Sequence, residues 1–112
     1  PINTVHLSGK YRLQEFEELA KLAKQNNFIL ILVSPTWLNG LFDETQRQLI
    51  INLYQKIDTQ YDRTYFLDYS YDEKLSNDLS FWLNMGHLNF DGANVFSEEL
   101  SEDILTILSA NQ

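Results

Sequence analysis

The stretch NNFILILVSPTW, residues 26–37, decides how the chain is read. Phe28 to Val33 form an unbroken apolar, largely β-branched or branched run, the pattern of a strand covered on both faces. Upstream, YRLQEFEELAKLAKQNN places Leu13, Phe16, Leu19, Ala20 and Ala23 at three- and four-residue spacing, which predicts a helix over about 11–25. Glu15, Glu17 and Glu18 come early and Lys21 and Lys24 late, as the helix dipole favours, and Asn26 and Asn27 end the helix. A helix feeding a buried strand points to a parallel α/β sheet.

Downstream, residues 34–42 read as a loop carrying Pro35 and Gly40. Asp43 with Gln46 three residues later resembles a capping box, and Leu49, Ile50, Leu53, Tyr54 and Ile57 give an apolar stripe for a helix over about 44–58. RTYFLDYS (63–70) reads as a second strand, followed by a loop of about twenty residues, long enough to point to function. A last helix is expected from an N-cap at Asp91 to Leu108, with Ala93, Phe96, Leu100, Ile104 and Leu108 inward. INTVHLS (2–8) is a candidate third strand. The 112 residues allow one domain. With two clear strands and three helices, the pattern looks like half of a larger sheet, which needs partners along its edges. Self-association as a two-fold dimer is one repair.

Charge divides sharply along the chain. Residues 1–63 hold seven Lys/Arg against seven Asp/Glu, whereas residues 64–112 hold one against nine, so the net −8 is C-terminal. A surface of that sign repels phosphate backbones and disfavours nucleic acid as a partner. There are no cysteines, which excludes disulfides, thiolate metal sites and a thiol nucleophile. No apolar run reaches membrane-span length and no signal-peptide pattern is visible at residues 1–10.

One of the two histidines, His87, sits between Gly86 and Leu88 just ahead of the last helix. Ligands of open α/β sheets bind outside the carboxyl ends of the strands, so the loops after Ser34 and Asp68, together with the His87 loop, are the places to look. A lone histidine in an apolar setting is more often a packing residue. Ser34 lacks the flanking glycines of a nucleophile elbow and reads as a turn. Asp68, Asp72 and Asp78 lack the spacing of a calcium loop and read as a solvated acidic loop; no metal or cofactor is expected. His6 reads as a surface residue. Trp37, Trp82, Tyr65, Tyr69 and Tyr71 either fill the core or line a sugar or acyl cleft.

HLNFDGANVFSEELSEDI, from His87, resembles the C-terminal signature of SGNH (GDSL-type) hydrolases, in which a D-x-x-H-L element supplies the catalytic histidine and a small residue lets the next helix pack close. NNFILILVSPTW and FLDYSYDEKLS are similar to preceding segments of a bacterial branch related to the D-alanyl transfer protein of teichoic acid modification. The order agrees across most of residues 11–108. The resemblance implies a flavodoxin-like α/β/α sandwich, a serine nucleophile with His87 as general base, an ester or acyl-carbohydrate substrate, and an extracytoplasmic location. It also implies that this chain is the C-terminal half of the domain and that the N-terminal half is its partner.

Two departures qualify it. The Gly-Asp-Ser block, the oxyanion-hole glycine and the Gly-x-Asn-Asp block have no counterpart among the 112 residues, so the chain alone is expected to be inactive. Three residues before His87 stands Asn84 instead of the family's aspartate. An amide orients an imidazole but cannot offset its positive charge, a loss of about 10⁴ in turnover in serine systems. Asp68, Asp78 and Asp91 are through-space substitutes to consider. The alternative is a non-enzymatic or degenerate α/β module that binds another protein. On the enzymatic reading, His87 belongs at the carboxyl-end rim of the sheet, partly exposed, with one ring nitrogen held, first of all by Asn84.

Overall fold

The computed structural model describes residues 10–38 and 44–112, of mixed α/β class. The candidate strand at 2–8, His6 and the Asp43 capping box lie outside the described residues. The chain divides into two compact units, residues 1–34 with 43–67 and residues 35–42 with 68–112.

The first unit contains α1 (Lys10–Gln25), β1 (Leu30–Ser34), α2 (Glu44–Gln60) and most of β2 (Thr64–Asp68). Helix α1 ends as its two asparagines suggest. Asn27 takes the left-handed conformation (φ 60°), the Phe28 N–H donates to Ala23 O at 2.8 Å and the Asn27 N–H to Lys24 O at 3.3 Å, a Schellman closure with asparagine in glycine's usual place. The asparagine thus redirects the chain into β1. Because the helix starts at Lys10, Glu15, Glu17 and Glu18 lie beyond its first turn, and Lys24 in the last turn is the residue placed to meet the dipole.

Strands β1 and β2 form a parallel pair joined through α2. Arg63 ties its entrance: its backbone carbonyl accepts from Leu30 N at 2.9 Å, and its guanidinium donates to Phe28 O and Asn27 O at 2.9 and 3.2 Å. Ala20, Leu32, Tyr54 and Ile57 form the buried cluster, flanked by Phe16, Leu30, Ile50, Leu53, Tyr61 and Phe66. Tyr54 stands edge-to-face with both Phe16 and Phe66, at centroid distances of 5.2 and 5.0 Å. The strand expected to be buried on both faces is buried at Leu32 and Ser34 and half-buried at Leu30, Ile31 and Val33, while Phe28, just before it, is 60% exposed. The alternation shows one closed face and one only partly covered.

In the second unit, the expected long loop is organised. A 3-10 turn (Leu79–Phe81) runs into β3 (Trp82–Asn84), which pairs antiparallel with β4 (His87–Leu88) in a small irregular hairpin. Helix α3 (Phe90–Ala110) follows. Its N-cap is Asn89, two residues before the expected Asp91, because the Asn89 side-chain Oδ1 accepts from Gly92 N at 2.9 Å while its side-chain Nδ2 donates to Ser80 O at 2.6 Å. Asp91 instead occupies the first turn, favourable for the dipole. The inner face runs through Gly92, Phe96, Glu99, Asp103 and Ile107, so Ala93 and Leu108, expected inward, are exposed. Two acids on that face hid its register from an apolar pattern. Gly92 has a packing reason: a β-carbon there would collide with the Phe81 carbonyl and press on the Leu88 side chain at 2.9 Å.

Candidate functional site

The second unit is held largely by short side chains that bond their own backbone. Asp68 accepts from Ser70 N, Asp72 from Lys74 N and Leu75 N, and Asp78 from Ser80 N, at 2.8–3.1 Å. These are Asx turns, in which a carboxylate does what a backbone carbonyl does in a β-turn. The Ser80 hydroxyl and N–H hold the Asp78 carboxyl below its usual range. Trp82 fixes the hairpin to this scaffold by donating from Nε1 to Leu75 O at 2.7 Å.

At the hairpin tip, Asn84 Oδ1 accepts from Gly86 N at 2.9 Å and lies 2.9 Å from His87 Nδ1. This pair of contacts fixes the imidazole tautomer. A backbone N–H can only donate, so the amide atom facing Gly86 is the oxygen, and an oxygen without a proton makes His87 Nδ1 the donor. In the neutral ring the proton is therefore on Nδ1 and the lone pair on Nε2, the form a general base needs. Asn84 is neutral and orients the ring without offering charge to a developing imidazolium. Asp68 and Asp78 direct their Oδ1 atoms to Ser70 and Ser80, and Asp91 is exposed on α3, so Asn84 is the side chain hydrogen-bonded to the ring.

His87 is exposed and borders a cleft of about 320 Å³ lined by Pro35, Thr36, Trp37, Trp82, Gly86, Leu88 and Phe96. The segment leaving β1 and the hairpin bearing His87 thus meet, and both tryptophans border the same space. Tyr69 is buried and stacks edge-to-face on Phe96 at 5.2 Å. Tyr65 and Tyr71 do not line the cleft. Ser34, 2% exposed, is a buried strand-end residue.

A second constellation was invisible to sequence reasoning. Glu99 and Asp103 on α3 face Tyr69 and Asp72 from the preceding turns. Tyr69 donates its hydroxyl to Asp103, and burial followed by that contact raises the phenol's pKa. Burial, then a hydrogen bond to Asp72 and its charge, push Glu99 up to about 7, with Lys74 opposing. A four-residue Glu/Asp spacing on a helix looks solvated from sequence, and the available signal was Tyr69, a phenol donor next to the first Asx turn. Among the described residues no group of three or more His, Asp or Glu is arranged to hold a metal ion, and no helix is long and apolar enough to cross a membrane.

No protein-family model, no curated protein and no solved structure matches this chain.

Proposed function

We propose that this chain is the C-terminal, histidine-bearing half of an SGNH-type ester hydrolase or acyl transferase, in which His87 is the general base for a serine supplied by the N-terminal half. The observation that carries the reading is the Asn84–His87 contact: three residues before the histidine, where the resembling family places its orienting carboxylate, a side-chain oxygen holds Nδ1–H and leaves Nε2 able to accept. Gly92 supports it, since the helix after the histidine requires a small residue for its close approach. So does the first unit, which leaves Leu19, Leu22, Phe28 and Leu49 exposed within itself. On this proposal β1 and β2 are strands of a flavodoxin-like sandwich completed by the N-terminal half, and the enzyme belongs to the bacterial, extracytoplasmic branch.

In the reaction, Nε2 takes the serine proton as the hydroxyl oxygen attacks the ester carbonyl, and returns it to the departing alkoxide. Asn84 keeps the ring in register through both transfers but leaves the imidazolium uncompensated, so turnover is slow for the class.

The test is 4-nitrophenyl acetate hydrolysis by the protein of the full reading frame. The proposal expects an upstream Gly-Asp-Ser, loss of about 10²–10⁴ in turnover in His87→Ala, and a gain in Asn84→Asp as the carboxylate returns. A frame without Gly-Asp-Ser, or a His87→Ala variant as active as its parent, removes the hydrolase reading and leaves the protein-binding module.

A further inference from the structure

The cleft beside His87 is more apolar than proton transfer alone requires. Pro35, Trp37, Trp82, Leu88 and Phe96 form its walls, and Thr36, Gly86 and His87 supply its few polar groups. Resting on the reading of His87 as the base, we propose that this cleft is an acyl pocket, which receives the apolar acyl chain of an ester with the Thr36 hydroxyl donating to the ester carbonyl.

Size sets the first constraint. A volume of about 320 Å³ lies at the lower end for small-molecule pockets. At roughly 30 Å³ for each water- or methylene-sized group, it accommodates about ten heavy atoms, an ester of a six-carbon acid or of a single aromatic ring. Chemistry sets the second. A saccharide also stacks on tryptophan, but each of its hydroxyl groups needs a partner once water is removed, and the aromatic and aliphatic walls offer few. An acyl chain asks only for apolar contact and for one donor at its carbonyl.

Thr36 is placed to be that donor. It is 8% exposed, and its hydroxyl is buried with no hydrogen-bond partner among the described residues. Such a group is destabilising until it is met. Rotation about χ1 carries the hydroxyl to another staggered position and leaves the backbone in place, so a carbonyl entering the cleft can recruit it.

Trp37 and Trp82 are the chain's two tryptophans and both line the cleft, so intrinsic fluorescence reports on its occupancy. The intact chain is titrated with ethyl hexanoate, with ethyl hexyl ether as a carbonyl-free match, and with methyl glucoside. A saturable emission change with the ester is expected, about fivefold weaker binding of the ether, and no response to the glucoside. Thr36→Val, nearly the same shape, should lower ester affinity by about the same fivefold and leave the ether unchanged. No saturable response to the ester overturns the pocket, and preference for the glucoside replaces it with a carbohydrate site. Equal affinity for ester and ether in the unsubstituted chain removes Thr36 as the donor, without reliance on a variant's folding. Because the titration requires no turnover, ester binding by a protein whose hydrolysis ignores His87→Ala would remove the base and keep the pocket. His87-dependent hydrolysis without saturable binding would do the reverse.

Discussion

The two units solve the same problem with different forces. In the first, α1, β1, α2 and β2 close around Ala20, Leu32, Tyr54 and Ile57, and apolar burial is the main term. In the second, buried apolar residues such as Leu75 and Ile107 are scattered, and the backbone is fixed by Asp68, Asp72, Asp78, Asn84 and Asn89 through short-range hydrogen bonds. A hydrophobic cluster tolerates small displacements, since its attraction has no direction. Asx turns and a glycine contact do not, which suits a unit that must hold an imidazole in one orientation.

The contrast can be broken first at Ile57. It is fully buried in the first unit's cluster, so Ile57→Ala removes methyl and methylene contacts and leaves a cavity, at about 2–5 kcal/mol. Denaturant unfolding measures it. A loss under about 1 kcal/mol would mean that the cluster is not what holds this unit.

Gly92→Ala probes the second unit, where one added methyl meets the Phe81 carbonyl and the Leu88 side chain. Overpacking of this kind costs about 1–3 kcal/mol, more than an alanine on a helix otherwise gains. Amide exchange should accelerate across the hairpin and the first turns of α3 while that of Ile57 and Leu32 stays protected. Equal acceleration everywhere would show that the units unfold as one.

The same contrast explains what sequence reveals. Helices α1 and α2 and strands β1 and β2 follow from periodicity because their forces are apolar, and periodicity records apolar burial. The hairpin was hidden because its strands have three and two residues, too short for an alternating pattern. Its signal is different in kind: an Asp or Asn two residues before Ser or Gly, at Asp68/Ser70, Asp78/Ser80 and Asn84/Gly86, marks successive Asx turns. His87 stood out by type and by its place just ahead of the last helix, and Asn84 only through the resemblance, at the position of the family's aspartate. The cleft did not, because Trp37 and Trp82 are 45 positions apart and only the fold brings them to one space.

The smallest expected effect is a pH dependence within the second unit. Glu99 is faced by Tyr69, Asp72 and Lys74 from the preceding turns and by Asp103 on its own helix, with Asp78, Glu98 and Glu102 around the adjoining groove. Its folded pKa of about 7 stands above the ordinary 4.5, so the protonated form is the one folding favours. That contribution is complete below about 4.5 and is lost as pH rises through about 7, when Glu99 ionises beside Asp72 and Asp103. Asp78 acts in the opposite sense, since its lowered pKa gives stability that disappears only under more acidic conditions. A comparison between pH 5 and 8 therefore separates the two. Solvent screening at this partly open site reduces the loss to about 1 kcal/mol, a shift of a few degrees in Tm. Glu99→Gln keeps the shape and cannot ionise, so its Tm should depend less on pH over this range and exceed that of the unsubstituted chain at pH 8. If both proteins lose stability in parallel from pH 5 to 8, the proton is not held at Glu99, and the packing of α3 owes nothing to it.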